Sequence, residues 1–288
     1  MTDLSTPPLP FPALAGNTPA TAETLRHFAI FADLGKPQRE RLLSQMRLLT
    51  VPARTLLLTA EQPGHAVYFL IEGSVKIGLE RPTGPRTAKP FSIGKAKDTL
   101  GSTPAPATGA QVMLNLCGPG AVLGEMSVLD ERGHSANVIT REKCRLLWLD
   151  KDVFLELLRE RPEVSLALLR ECSDRQRNAT HQLHAYATLD AAGRIAHALL
   201  HLARRFGTPL PQGTALEDTT SKGASVGGLR LDINLTQPEI SDLTGLTRTR
   251  VNTVIAIFKK NDWLIQEEGG ALLLLDMQNL ATIAQQLP

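Results

Sequence analysis

The chain has 288 residues, 42% hydrophobic and 21% charged, with a formal net charge of +2. That is an ordinary globular composition, long enough for two domains with a core each. Its longest apolar run, six residues from Ala66 to Ile71, excludes a membrane-spanning helix, which needs about 18 or more, and a near-neutral charge means that any basic surface must be local.

Residues 1–20 hold Pro7, Pro8, Pro10, Pro12 and Pro19 and read as a flexible tail. They lack the cationic start and apolar core of a secretory signal, so a cytoplasmic location is the expectation. Residues 21–48 place Leu25, Phe28, Phe31, Leu34, Leu42, Leu43 and Met46 at spacings that suit short helices. From about Val51 to Leu149, short apolar runs alternate with glycine and proline breaks. Thr55–Ala60, Ala66–Ile71, Ser74–Leu79, Gln111–Leu116, Ala121–Leu123, Ser135–Ile139 and Arg145–Leu149 read as strands of a sandwich or barrel. Residues 82–110 interrupt that rhythm. Rich in proline and glycine, with Arg86, Lys89, Lys95 and Lys97 against the single acid Asp98, they read as a long inserted loop in a hairpin. Cys117, Cys144 and Cys172 are odd in number and widely spaced, which suggests neither a disulfide framework nor a zinc knuckle.

The period becomes helical from Asp152. A long helix is expected over Glu163–Tyr186, with Leu166, Leu169, Cys172, Gln176, Ala179, Leu183 and Tyr186 as a heptad-like seam suited to a dimer. A helix over Ala191–Phe206 follows, then a second loop at 207–228. Leu229–Leu275 reads as a compact α/β unit, with Asp276 placed to cap a last helix.

The strongest local signal is Thr236–Lys260. Thr236 can cap a helix, Glu239 can complete a capping box, and Pro238 suits the first turn. Small Ser241 permits a close helix crossing, and Gly245 permits a left-handed turn. Thr247 can then cap a second helix whose inward face is Val251, Val254, Ile255 and Phe258. This is the grammar of a helix-turn-helix. Exposed residues at the start of such a second helix reach base edges in the major groove. The candidate DNA-binding residues are therefore Thr236, Gln237, Thr247, Arg248, Thr249, Arg250, Asn252 and Thr253. Residues 229–288 carry five basic against seven acidic residues, yet Thr247–Asn261 holds four basic and no acidic ones. Positive charge is thus focused on one helix. Leu264–Gln266, a tight turn and Ala271–Leu275 then read as a wing. The competing reading is an αα-hairpin used only for packing.

With these residues in place, the chain resembles the cyclic-AMP receptor protein / fumarate–nitrate regulator family of bacterial transcription factors over roughly residues 28–286. The most specific segments are Gly73-Ser74-Val75, Gly124-Glu125-Met126, Leu189–Ala196 and the helix-turn-helix. The resemblance implies an α+β fold. Residues 21–162 would form a cyclic-nucleotide-binding-like β-roll (a double-stranded jelly roll), 163–190 a dimerisation helix and hinge, and 191–288 a winged helix-turn-helix DNA-binding domain. It also implies a homodimer, double-stranded DNA and RNA polymerase as partners, and no enzymatic activity. No phosphate-binding loop, Gly-x-Ser-x-Gly or His-Glu-x-x-His motif occurs.

In that family the phosphate cassette starts Gly-Glu and ends Arg-Ser or Arg-Ala. The effector-pocket candidates here are Gly124, Glu125, Met126, His134, Ser135 and Thr180. His134 stands where the family's arginine meets the cyclic phosphate, and a neutral imidazole cannot make that bidentate charged contact. Arg132 could substitute only in a remodelled loop. Ala179 and Thr180 occupy the family's base-contacting positions. Cyclic AMP is the one cofactor the cassette raises; no metal is assigned, since His181 with His184 and His197 with His201 are only pairs. The expectation is a homodimeric regulator of pseudo-palindromic promoter sites, independent of cyclic AMP or responsive to another signal. The alternatives are a cyclic-AMP-dependent regulator and a cyclic-nucleotide sensor whose winged helix contacts protein.

Overall fold

The computed structural model describes residues 19–80, 111–210, 228–267 and 270–285. The inserted stretch 82–110, most of the proline-rich tail and most of the second loop lie outside them. The chain divides into two compact units, Met1–Gln176 and Arg177–Pro288.

The first unit opens with helices α1 (Ala22–Arg26) and α2 (Lys36–Gln45) around a 3₁₀ turn at Ala29–Phe31. Eight strands follow: β1 (Arg47–Val51), β2 (Leu56–Leu58), β3 (Ala66–Glu72), β4 (Val75–Glu80), β5 (Gln111–Cys117), β6 (Val122–Leu123), β7 (Asn137–Thr140) and β8 (Cys144–Asp150). Helix α3 (Glu125–Leu129) sits between β6 and β7. The strands form two antiparallel sheets, in the orders β1-β8-β3-β6 and β2-β7-β4-β5. The apolar run at 66–71 becomes β3, a strand buried on both faces. Because side chains alternate, Val67, Phe69 and Ile71 enter one core and Ala66, Tyr68 and Leu70 the other. The first core joins that sheet to Phe28, Phe31 and Phe154, whose rings surround Phe69 at 5.0–6.5 Å. The second, with Leu57, Leu58, Val75 and Val138, fills the interior of the roll.

Several boundaries differ from expectation. Arg47 and Leu48 belong to β1 rather than to a helix, paired with Trp148 and Leu147; their exposure hides the strand's period, which only the partner β8 supplies. Ser135 and Ala136 stay outside β7, because His134 is tied instead to residues 60–62 through an Ala60 bridge and the Gln62 carbonyl. At the N-terminal end, Ala20, the last residue of the expected tail, packs against the first core.

Helix α4 (Lys151–Glu160) leads to α5 (Pro162–Thr188), within which the two units divide. The second unit continues through α6 (Ala191–Phe206), β9 (Gly207–Pro209), β10 (Leu229–Leu231), α7 (Gln237–Thr244), α8 (Arg248–Lys260), β11 (Leu264–Gln266), β12 (Leu272–Leu274) and α9 (Met277–Ile283). Strand β9 occupies the start of the expected second loop, because its residues pair with β10. Its sheet has the order β11-β12-β10-β9. Asp190 caps α6 by accepting from the Gly193 amide at 2.8 Å, and Asp276 caps α9.

Candidate DNA interface and effector cassette

Helix α7 begins as its sequence requires. Thr236 accepts from the Glu239 amide at 3.4 Å, and the Glu239 carboxylate accepts from the Thr236 amide at 3.0 Å. Gly245 ends the helix at φ 68°, the left-handed region that favours glycine. One turn later Thr247 caps α8 by accepting from the Arg250 amide at 3.3 Å. Val251, Val254, Ile255 and Phe258 are buried, which fixes how α8 is rolled on its axis. All eight candidate DNA-binding residues, Thr236, Gln237, Thr247, Arg248, Thr249, Arg250, Asn252 and Thr253, are consequently exposed. The Thr253 hydroxyl donates to the Thr249 carbonyl at 3.0 Å, so its methyl is the part left to project. In the wing, Arg230 is neutralised by Asp232 and Glu267, each at 2.9 Å. Lys259 donates to Gln266 at 3.0 Å, which ties the end of α8 to β11.

The cassette lies in the first unit. Gly124 opens α3 at φ 83°, where a Cβ would meet the Ala66 carbonyl at 3.2 Å. Glu125 is only 2% exposed. Its carboxylate pairs with Arg175 on α5, which also donates to Glu171 at 2.5 Å and to the Val122 carbonyl at 3.1 Å. Burial pushes the Glu125 carboxyl up against the pull of Arg175. Burial also opposes the Arg175 charge, but the carboxylates of Glu125 and Glu171 more than offset it and raise its pKa. Nothing local in the chain points to Arg175, because its partner Glu125 is fifty residues away.

His134 is held by Ser127. The Ser127 hydroxyl donates to the Gly124 carbonyl at 2.9 Å and lies 2.8 Å from His134 Nδ1. With its one hydrogen committed to Gly124, the geometry assigns the imidazole proton to Nδ1, leaving Nε2 as an acceptor. Burial, with His65 nearby, lowers the His134 pKa. The ring is therefore neutral at neutral pH. One cation thus faces two carboxylates here, and His134 stands where the resemblance places a guanidinium. The charges of the cassette described here are paired with one another. Ser135 is exposed on the following turn, and Met126 on α3 is turned outward. Thr180 is exposed on α5 and belongs to the second unit. Within the first unit, Gly124, Glu125 and His134 come together, while Met126 and Ser135 are exposed.

The exposed positions of α5 include Leu166, Leu169, Ser173, Gln176, Thr180, Leu183 and Ala187, which follow one another at alternating three- and four-residue steps. Leu166, Leu169 and Leu183 are 50%, 63% and 68% exposed. Of the seam expected from sequence, Leu166, Leu169, Gln176, Ala179 and Leu183 are exposed, while Cys172 and Tyr186 are half-buried. Cys172 packs on the first core, and Tyr186 bonds to α7. Among the described residues no helix is long and apolar enough to cross a membrane, and no group of three His, Cys, Asp or Glu is placed to hold a metal ion.

A nucleotide-binding-type β-roll, a long helix and a winged helix-turn-helix define a DNA-binding transcription regulator. Residues 193–283 match the Crp-like helix-turn-helix domain, and residues 101–161 the cyclic nucleotide-binding domain. Both matches, with the relatives that follow, support the cyclic-AMP receptor protein / fumarate–nitrate regulator family. It is 29% identical over 263 residues, 91% of this chain and 99% of the other, to the CRP-like cAMP-activated global transcriptional regulator of Mycobacterium tuberculosis. The Cyclic AMP receptor protein of Thermus thermophilus is 38% identical over 104 residues, covering 36% of this chain and 48% of that one. Among solved structures, FixK2 from Bradyrhizobium japonicum superposes with a TM-score of 0.62 at 13% identity, over 84% of this chain and 99% of that chain. A CooA mutant from Carboxydothermus hydrogenoformans gives 0.59 at 20% identity, over 85% and 90%. At such identities these two likenesses carry the fold alone.

Proposed function

We propose that the protein is a homodimeric, sequence-specific regulator that binds pseudo-palindromic promoter sites without needing cyclic AMP. The observation that carries this reading is α8. Its buried face is wholly apolar, and its exposed face presents Arg248, Thr249, Arg250, Asn252 and Thr253 to a groove. Two such helices joined through the α5 stripe would enter successive major grooves about 34 Å apart. RNA polymerase is the partner that family membership suggests. Independence from cyclic AMP is supported by the described residues of the cassette, where His134 is held neutral and Arg175 is already paired with Glu125 and Glu171. A ligand shifts a conformational equilibrium only through differential affinity, and that differential is small without the charged contact. The test is a selection from a random DNA pool by nucleotide-free protein. Enrichment of a two-fold symmetric motif supports the reading; enrichment only when cyclic AMP is present overturns its second half.

A cyclic-AMP-dependent regulator is the second reading. It is favoured by the cAMP-activated relatives at 29% and 24% identity. In that case Arg132, Glu125 and Thr180 would have to rebuild the phosphate and base contacts.

A further inference from the structure

Tyr186 lies two residues before the end of α5, flanking the exposed stripe. Its hydroxyl accepts from Gln182 Nε2 at 2.9 Å and donates to the Leu243 carbonyl at 2.5 Å. Leu243 is in the last turn of α7, where carbonyls have no partner within their own helix. Arg194, from the first turn of α6, completes the cluster. Its Nη2 donates to the Tyr186 carbonyl at 2.8 Å and its Nε to the Leu189 carbonyl at 3.1 Å. The guanidinium also sits 5.9 Å from the centre of the Tyr186 ring. The ends of α5 and α7 are thus satisfied by two side chains that touch each other. The Tyr186 hydroxyl is the only one of these groups to join the long helix to the first helix of the helix-turn-helix.

We infer that Tyr186 is a positioning residue for DNA recognition: its hydroxyl fixes the helix-turn-helix at one rotation about the end of α5, and so fixes the separation of the two half-sites. The inference rests on the dimeric reading above, because only a dimer has a half-site separation. A phenol suits the task. It is half-buried, and burial raises its pKa above the usual phenol value, so it remains a donor at neutral pH. It also has only two side-chain torsions to fix, fewer than a Gln or Lys spanning the same gap. Without the hydroxyl, α6 would still pack against α7 and α8 through its own apolar face, so the domain would stay folded while its rotation loosened.

The test is Tyr186→Phe, which keeps the ring beside Arg194 and deletes one oxygen. Affinity is measured for three duplexes: the selected symmetric site, the same site with one base pair inserted at its centre, and an isolated half-site. The native protein should discriminate against the inserted spacing. For Tyr186→Phe, affinity for the symmetric site should fall about two- to tenfold, the range of a single hydrogen bond. Affinity for the inserted site should fall less, and half-site affinity should be unchanged. A variant with native affinity and native spacing preference overturns the inference. So does an equal loss on all three duplexes, which would mark a general disturbance of the recognition helix. If the native protein shows no spacing preference, the dimeric reading itself fails. Gln182→Leu gives an independent check. It removes the donor to the phenol oxygen while leaving the Leu243 bond, and should shift spacing preference in the same direction by a smaller factor.

Discussion

Arg248 stands at the first position of α8, exposed, with its stem rising from a helix whose opposite face is wholly buried. If it reads guanine in a bidentate manner, Arg248→Ala costs about 1–3 kcal/mol and relaxes preference at one base pair per half-site. Binding to single-base variants of the selected site checks this, and unchanged preference would remove Arg248 from base readout. By the resemblance, Thr249 and Thr253 fall where the family carries a glutamate and a second arginine, so the neighbouring pairs are expected to differ from the family's usual sequence. In the cassette, His134→Arg should raise cyclic-AMP affinity measurably by calorimetry, because a permanent guanidinium would then face the Gly124 turn. In the native protein, added cyclic AMP should change DNA affinity by less than about tenfold, or 1.4 kcal/mol. No gain in His134→Arg would mean that the paired Glu125 and Arg175, rather than residue 134 alone, keep the phosphate out.

At the scale of elements, α6 carries a pH dependence of its own. His197 and His201 are half-buried on it. Burial lowers both, helped by His181 and Arg204 at each, with Arg205 also acting on His201. His201 falls to about 4. An unfolded chain titrates its histidines near 6.5, so between about 6.5 and 4 the unfolded form binds more protons. Stability is therefore full above pH 6.5 and declines as pH falls towards 4. The urea midpoint should be lower at pH 5 than at pH 7.5, and His201→Leu should shrink the difference; an unaltered difference would place the acid sensitivity elsewhere. The elements also differ in how far the sequence revealed them. Helices α7 and α8 were legible because their signals are local: Thr236 with Glu239, Gly245, and Thr247 all act within one turn. Strand β1 was not, because Arg47 and Leu48 acquire their conformation from Trp148 and Leu147, about a hundred residues on. The phase of the α5 stripe was hidden for the same reason. Spacing admits Cys172 and Tyr186 to the seam; only the core under Cys172 and the Leu243 carbonyl beyond Tyr186 draw them away from it.

For the whole molecule, the α5 stripe is the surface on which assembly depends. Leu183→Asp places a carboxylate where a second copy would desolvate it, an expensive burial. Sedimentation should then show monomer, and affinity for the symmetric site should drop to that of a half-site; a dimeric variant would move the interface elsewhere. The paired cassette charges have a consequence of another kind, for the order in which this chain can accumulate mutations. Losing Glu125 first leaves Arg175 with Glu171 and partial access to solvent. Losing Arg175 first strands a carboxyl that is 2% exposed, a step of order 3–5 kcal/mol unless the acid takes up a proton. A lineage abandoning this site can therefore discard the glutamate before the arginine far more readily than the reverse. Among descendants, an arginine at 175 without its glutamate should outnumber the opposite combination.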